Sequence, residues 1–203
     1  MHNDSNRTRP ERLFIAVRLP EPLRTALGED CARLSRELEF AKWVHPEDYH
    51  ITLQFLGDTG RERIPALIDV LKAAAAEANP FKLELSRAGT FGTAKSPRVL
   101  WAGVAGDRAA LEALHRRVVA ATGPLGFVPE DRPYSPHITL ARKYRGAAPF
   151  SAGKLEGWPG ADLSAQASGE GWEVEDFVVF ATRMGASPMY EIVESLKFPK
   201  KNS

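Results

Sequence analysis

One cysteine, no long apolar run and almost no net charge characterise this sequence. Cys31 has no partner among the 203 residues, which excludes an internal disulfide and a cluster of thiolate metal ligands. With 27 Lys and Arg against 26 Asp and Glu, composition does not indicate a strongly basic face built for long nucleic-acid duplexes. Apolar runs end well short of the roughly 18 residues of a membrane span, and residues 1–12 are polar without the apolar segment of a signal peptide. We therefore expect a cytoplasmic protein that contacts no membrane.

Apolar periodicity predicts strands that alternate with helices. Strands are predicted near 13–19, 49–56, 81–85, 98–104, 137–140, 172–182 and 189–197, and helices near 22–38, 64–78 and 107–119. Gly57-Asp58 indicates a turn, residues 185–188 a hairpin turn, and residues 146–171 a loop or weak edge structure. Cys31 lies on the apolar stripe of the first helix, so we expect it to be buried without a catalytic role. The order predicts a duplicated α+β unit, with antiparallel sheets lining a central cleft and helices outside.

The tetrapeptide His-Ile-Thr-Leu occurs twice, at residues 50–53 and 137–140. In a strand, alternate side chains point to opposite faces, so each copy presents its His and Thr on one face and its Ile and Leu on the other. Phe55 has the parity of the apolar face in the first copy. Two such strands that face each other across a cleft would form an acid/base pair.

The polar side chains of the two copies are His50, Thr52, His137 and Thr139. Because imidazole has a pKa of about 6.5, two of these rings can hold opposite protonation states at once, which suits phosphodiester cleavage. One ring would deprotonate the attacking water, the other would protonate the departing ribose oxygen, and the Thr hydroxyls would donate to the phosphoryl oxygens. One His and one Thr per copy make a poor zinc site, so we expect no metal and no other cofactor. The remaining histidines are expected at the solvated surface: His2, His45 and His115.

In context, the two copies resemble the paired signatures of the 2H phosphoesterase superfamily. They stand in the segments YHITLQFLG, residues 49–57, and RPYSPHITLAR, residues 132–142. More narrowly, the chain is similar to the bacterial RNA 2',3'-cyclic phosphodiesterases, also called 2'-5' RNA ligases. This resemblance implies one bilobal domain with pseudo-two-fold symmetry over residues 12–198, flanked by polar tails at 1–11 and 199–203.

The resemblance also implies an activity. We expect a monomer that opens 2',3'-cyclic phosphates on RNA ends or small nucleotides to 2'-phosphomonoesters without a metal, and that could also catalyse reversible 2'-5' ligation. In such enzymes the first histidine protonates the 3' leaving oxygen and the second activates water, which implies His50 as the acid and His137 as the base. Arg142 matches a family arginine five residues after the second histidine, where a guanidinium suits phosphate binding. Regular strand parity points Arg142 away from His137, so it would reach the cleft only through a bulge, a strand end or its length.

Two aromatic residues on predicted strands, Phe14 and Trp101, either stack on a base or pack in the core. For the function as a whole, two alternatives remain open at this point. The first is a nucleotide-binding module that keeps the phosphate pocket without turnover. The second is a phosphodiesterase for a non-RNA cyclic phosphate, such as an ADP-ribose derivative, or for a 2'-5' oligoadenylate. The motifs bind phosphate, whereas the lining loops would distinguish these substrates.

Overall fold

A computed structural model describes residues 9–158 and 171–200. In that part of the chain the α-helices are α1 Glu21–Leu34, α2 Ile64–Ala76 and α3 Arg108–Thr122. The strands are β1 Glu11–Arg18, β2 Phe40–Trp43, β3 His50–Thr59, β4 Phe81–Thr93, β5 Ser96–Gly106, β6 His137–Tyr144, β7 Trp172–Val174, β8 Asp176–Thr182 and β9 Tyr190–Lys197. Strand β1 therefore begins at the last residue of the predicted N-terminal tail, and the short strand β2 was not predicted.

The strands form one antiparallel sheet with the order β7-β4-β5-β6-β3-β1-β8-β9, and β2 pairs with β6. From the centre outward, β3-β1-β8-β9 on one side corresponds to β6-β5-β4-β7 on the other, with a His-Ile-Thr-Leu strand innermost in each half. This confirms the predicted α+β fold built from a duplicated unit. The expected separate sheets are one continuous sheet, because β3 and β6 are themselves paired at Ile51 and Ile138.

The helices cover one face of this sheet. Their apolar stripes, which include Leu27 of α1, Leu71 of α2 and Leu114 of α3, share a single buried core with Ile51 and Ile138. Alternate side chains of the two central strands point away from that core. The face that carries the two histidines is therefore the one opposite the helices.

Cys31 belongs to this core, as predicted. Its side chain is only 4% exposed, and burial raises the pKa of the thiol to about 12. A thiol that stays protonated is a poor nucleophile, so Cys31 acts as a small apolar residue of α1.

Two predicted features of strand β3 and of the C-terminal region are wrong. Gly57-Asp58 is not a turn: β3 continues to Thr59, and Gly57, at φ 71°, stands at an irregularity in the β1–β3 register. A positive φ suits a bulge as well as a turn, so local sequence did not distinguish the two. The predicted strand 172–182 is two strands, β7 and β8, which are separated by Glu175 alone.

This division shows how the sheet curls. Strand β7 pairs with β4 at one edge, whereas β8 pairs with β1 and β9 near the other edge. A single intervening residue can join them only because the two edges approach each other. Consistently, the Phe198 amide after β9 donates to the Glu175 carbonyl at 2.8 Å, and the Phe81 and Phe198 rings lie 6.3 Å apart.

The segment predicted as loop or weak edge structure, residues 146–171, contributes to the core. Phe150 and Trp158 are each 8% exposed and pack against the main cluster, with a short 3-10 helix, Ala152–Leu155, between them. Residues 159–170 of this segment lie outside the described residues. Because most residues of this segment are small or polar, its composition did not indicate that Phe150 and Trp158 are buried.

A buried polar pair connects β3 to the end of α3. Gln54 is 4% exposed and Thr122 is fully buried. The Thr122 hydroxyl donates to Gln54 Oε1 at 2.8 Å. Because water cannot replace this donor in the core, the hydrogen bond fixes the motif strand against the helix layer.

We expect Thr122→Val to lower the free energy of unfolding by roughly 1–3 kcal/mol, because it leaves a buried carbonyl oxygen of Gln54 without its donor. Thr122→Ser, which keeps the hydroxyl and loses a methyl group, is the matched control and should cost less. Urea unfolding of the three proteins measures the difference. A valine variant as stable as the serine variant would show that the hydrogen bond does not stabilise the fold.

Candidate active site

The two motif strands meet at one residue pair, Ile51 of β3 and Ile138 of β6. Both isoleucines are fully buried on the core face. The residues that flank them point to the opposite face, and continuing the antiparallel register by one residue directs His50 toward Thr139 and His137 toward Thr52. The structure thus brings together on one face the four polar side chains that the sequence singled out. Their catalytic and binding roles stay predictions.

A backbone carbonyl fixes the orientation of the His50 ring. His50 Nδ1 lies 2.7 Å from the Asp48 carbonyl oxygen, and Nε2 lies 3.1 Å from Thr52 Oγ1. A carbonyl oxygen only accepts, so Nδ1 carries the proton. In the neutral ring Nε2 is therefore an acceptor for the Thr52 hydroxyl, and it is the nitrogen that takes or gives a proton.

His137 is held in the same way. Its Nδ1 lies 2.8 Å from the carbonyl oxygen of Ser135, which is again two residues before the histidine. This contact assigns the same tautomer, with the proton on Nδ1 and the lone pair on Nε2. Both copies of the motif therefore hold their histidine in the same tautomer.

Both imidazoles are harder to protonate than free histidine. Burial lowers the pKa of His50 to about 4, although the Asp48 carbonyl favours the charged ring, and positive charge on His137 and Arg142 lowers it further. Burial also lowers the pKa of His137; the Ser135 carbonyl opposes this effect and Arg142 adds to it. Their mutual influence shows that His50, His137 and Arg142 share one electrostatic environment.

Arg142 reaches this environment through a bulge. Thr139 and Ala141 pair with consecutive residues of β5, so Leu140 is an extra residue on β6. Leu140 and Ala141 are both fully buried, and Arg142 is exposed. The extra residue reverses the strand parity, so Arg142 returns to the face of His137. Of the routes left open by the sequence, the bulge is the one observed.

The same bulge occurs on β3 and corrects the prediction for Phe55. Thr52 and Gln54 pair with consecutive residues of β1, so Leu53 is the extra residue, and both Leu53 and Gln54 are buried. Phe55 consequently lies on the histidine face and is 54% exposed, instead of joining Ile51 in the core. In the duplicated unit, Phe55 occupies the position that Arg142 has in the other half.

Phe14 supports His50 and leaves little surface for a base. It is 3% exposed, and its ring centroid lies 4.9 Å from that of His50, 5.2 Å from Phe180 and 4.7 Å from Tyr190. The rings of His50, Phe180 and Tyr190 also lie within about 6 Å of one another, so Phe14 packs in a closed aromatic cluster. The base-stacking prediction for Phe14 does not fit this burial; its alternative, core packing, does.

Trp101 lies beside His137 on the histidine face. It pairs with Thr139 across the β5–β6 ladder, its ring centroid is 6.5 Å from that of His137, and it is partly exposed. Phe91, which is 37% exposed, lies 5.3 Å from Trp101 and 4.9 Å from His137. Gly89 makes this arrangement feasible, because a Cβ there would collide with the indole ring. Sequence reasoning missed Phe91, although it has strand parity with Gly89.

Asp48 is a further residue that sequence reasoning missed. Its carboxylate is buried and accepts hydrogen bonds from the amides of Met189 and Tyr190 at 2.9 and 3.0 Å, while its carbonyl holds His50. Asp48 therefore positions both His50 and Tyr190, whose rings are 5.2 Å apart. The residue two positions before the histidine is Asp48 in the first copy of the motif and Ser135 in the second. Because the acidic residue is not repeated, the duplication gave no signal for Asp48.

Tyr134 joins the two motifs. It precedes the second copy, and its hydroxyl donates to the Thr52 carbonyl in the first copy at 3.1 Å. On its other side the ring stacks on His115 at 3.9 Å between centroids. His115 is therefore partly buried and not the solvated residue predicted, and burial lowers its pKa. The prediction for His45 is confirmed: it is exposed and accepts from the Glu47 amide.

His2 lies outside the described residues. Within residues 9–158 and 171–200, the structure brings together no group of three or more His, Cys, Asp or Glu side chains that could hold a metal ion. None of the described helices is long and apolar enough to cross a membrane.

Comparison with known proteins places this site in a family. The model of the LigT-like phosphoesterases matches residues 17–101 and again residues 104–190, one copy of the motif in each match. A protein of Geobacillus stearothermophilus named RNA 2',3'-cyclic phosphodiesterase is 41% identical over 89% of this chain, which spans 55% of that relative's length. A Bacillus subtilis protein of the same name is 35% identical, over 91% of this chain and 94% of its own.

The fold agrees with these matches. The crystal structure of Escherichia coli LigT in its apo form superposes with a TM-score of 0.73 at 24% identity, covering 95% of this chain and 99% of LigT. With the family model matching both halves, the resemblance seen in the two motifs is confirmed, and the chain belongs to the LigT-like family of 2H phosphoesterases.

Proposed function

We propose that this protein hydrolyses 2',3'-cyclic phosphates at RNA ends or on small nucleotides, by acid/base catalysis with two histidines. The observation that carries the proposal is the pair of imidazoles on one face, each with Nδ1 held by a carbonyl and Nε2 available for proton transfer. The relatives named RNA 2',3'-cyclic phosphodiesterase support this substrate class.

In the proposed reaction, water attacks the phosphorus atom and one phosphorus–ribose bond breaks. His137 Nε2 accepts a proton from the water, and His50 Nε2 donates a proton to the departing 3' oxygen, which leaves a 2'-phosphomonoester. The hydroxyls of Thr52 and Thr139 donate to the non-bridging oxygens, and the Arg142 guanidinium balances their negative charge. Imidazole, hydroxyl and guanidinium groups suffice for these steps, so the proposed reaction needs no metal.

The low pKa of His50 fits the role of the acid. An imidazolium that readily loses its proton is a strong donor, but it must first be protonated, and the ligand-free site disfavours this. A bound cyclic phosphate brings negative charge next to the ring and raises its pKa. Substrate binding thus favours the protonated form of His50, which is the proton donor.

Trp101 and Phe91 form the aromatic surface that suits a base on the side of His137. Both rings contact the His137 ring, and Phe91 is 37% exposed. A base stacked on such a surface gains about 1–3 kcal/mol regardless of its identity. This surface would hold the nucleoside of an attacking 5'-hydroxyl in 2'-5' ligation, where the hydroxyl replaces the water that His137 activates.

A nucleotide-binding module without turnover is the less favoured alternative. Binding a phosphate requires donors only, whereas here both rings keep an unprotonated Nε2 at neutral pH because burial lowers both pKa values. Neutral imidazoles are weak anion binders, but each can accept a proton at Nε2, as a general base must.

The proposed function predicts one product isomer in the presence of a chelator. A 2',3'-cyclic phosphate has two ester bonds to ribose, and the one in line with the attacking water and next to the acid is the one that breaks. With Thr52 and Thr139 holding the two non-bridging oxygens from opposite halves, the 2'-phosphate should predominate strongly. Phosphorus NMR of 2',3'-cyclic AMP incubated with EDTA measures the ratio. Mainly 3'-phosphate would reverse the roles of His50 and His137, and turnover restored only by a divalent ion would contradict the metal-free reaction.

Replacing either catalytic histidine should abolish most turnover without unfolding the protein. We expect His50→Gln and His137→Gln each to lower kcat by about 10²- to 10⁴-fold, because each removes one proton-transfer partner. The matched control is His45→Gln, which alters an exposed histidine close to the first motif and should leave kcat unchanged. Thermal unfolding must accompany the kinetics. Near-normal kcat in either catalytic variant would refute the paired role, and a large fall in Tm would indicate a structural one.

The pH dependence follows from the two lowered pKa values. The productive enzyme carries one proton on the pair: below both apparent pKa values the base is protonated, and above both the acid has lost its proton. Because burial lowers both pKa values, we expect kcat/KM, which reports the free enzyme, to peak below pH 6.5. Bound phosphate raises the pKa values, so kcat should peak at higher pH. A kcat/KM optimum above pH 7 would contradict the electrostatics of the site.

A further inference from the structure

A cavity lies next to the candidate active site and shares Phe14 and Tyr190 with it. Its volume is about 240 Å³, and its walls are Arg12, Leu13, Phe14, Phe55, Gly57, Thr182 and Tyr190. Phe14 and Tyr190 also contact the His50 ring, so they form a wall between the cavity and the candidate active site. The proposed hydrolysis uses neither Arg12 nor Phe55.

Phe55 gives this cavity an aromatic wall that packing does not explain. Its ring is 54% exposed on the histidine face, 6.0 Å from the ring of Phe14. The bulge at Leu53 produces this placement, and a second bulge follows Phe55, with Leu56 as its extra residue relative to β1. An exposed aromatic face that lines a cavity beside a polar site is the arrangement on which a nucleobase stacks.

Arg12 supplies an available positive charge to the same cavity. The neighbouring arginines are neutralised: Arg61 pairs with Glu11 at 2.5 Å, and Arg183 pairs with both Glu11 and Glu191. Arg12 is exposed and makes no ion pair within the described part of the chain. Asp58 stands opposite it in the β1–β3 ladder and reduces its field.

We propose that this cavity binds the nucleotide that precedes the cyclic-phosphate terminus of an RNA, with Phe55 stacking on its base and Arg12 contacting the phosphate that joins the two nucleotides. The inference rests on the proposed function, because it takes His50 as the donor to the terminal ribose. The terminal ribose must touch His50, whereas Phe55 lies one further ring away, behind Phe14. The preceding nucleotide of the RNA would span the distance from His50 to Phe55. The cavity would therefore distinguish RNA ends from free cyclic mononucleotides.

The test compares kcat/KM on 2',3'-cyclic AMP with kcat/KM on the dinucleotide ApA that ends in a 2',3'-cyclic phosphate. We expect Phe55→Leu to reduce the value for the dinucleotide by roughly five- to 100-fold, since one stacked base is lost, and to leave the value for cyclic AMP unchanged. Phe55→Tyr keeps the ring and should retain activity on the dinucleotide. Thermal unfolding of each variant shows whether it is folded.

Charge variants test the phosphate contact separately. Arg12→Gln should raise KM for the dinucleotide alone and reduce the slope of log KM against log salt by about 1, whereas Asp58→Asn should lower that KM. Arg12→Lys, which keeps the charge, should fall between Arg12→Gln and wild type.

Three outcomes would overturn the inference. Equal losses on both substrates would assign the cavity to the terminal nucleotide, and no loss on either would show that Phe55 and Arg12 bind no RNA. A Phe55→Leu variant that is folded but inactive on cyclic AMP would make Phe55 part of the reaction itself. Each of these outcomes leaves wild-type hydrolysis intact and refutes this inference alone, whereas wild-type protein that hydrolyses neither substrate refutes the proposed function.

Discussion

The single pairing of Ile51 with Ile138 is the contact on which the rest of this site depends. Both side chains are fully buried, and they join the two halves of the molecule into one sheet. A shift of this pairing by one residue would move every side chain of one motif to the wrong face. Burial of two isoleucines on the core face therefore determines that two imidazoles meet on the other face, where a phosphate can contact both.

Backbone hydrogen bonds then set the tautomer of both histidine rings. The carbonyls of Asp48 and Ser135, each two residues before a histidine, hold the Nδ1 protons and leave both Nε2 atoms free to exchange protons. One extra residue in each motif strand then reverses the side-chain parity five residues after the histidine. The duplicated backbone carries different residues at that position, a cation at Arg142 and an aromatic ring at Phe55. In the proposed function the first would contact phosphate and the second a base.

The parts of the site that obey a strict two-residue period could be predicted from the sequence. His50 and His137 fall in this group, because repetition of the tetrapeptide indicates both the strand and its exposed face. Phe55 could not be placed, since a bulge leaves no mark in side-chain alternation. The break at Glu175 could not be predicted either, because periodicity indicates which face of a strand is buried and not which neighbouring strand it pairs with. The role of Asp48 depends on chain segments more than 140 residues apart, a contact that no local pattern encodes.

The central claim is that two imidazoles with the same tautomer act on one phosphate. Nitrogen-15 NMR of the histidine rings tests it most directly, with and without inorganic phosphate at neutral pH. In the free protein, His50 and His137 should both show a protonated Nδ1 and an unprotonated Nε2, with pKa values below that of free histidine. Saturating phosphate should shift the Nε2 signals of both rings and raise both pKa values. An Nδ1 without its proton in either ring, or a response to phosphate in only one of them, would contradict the account.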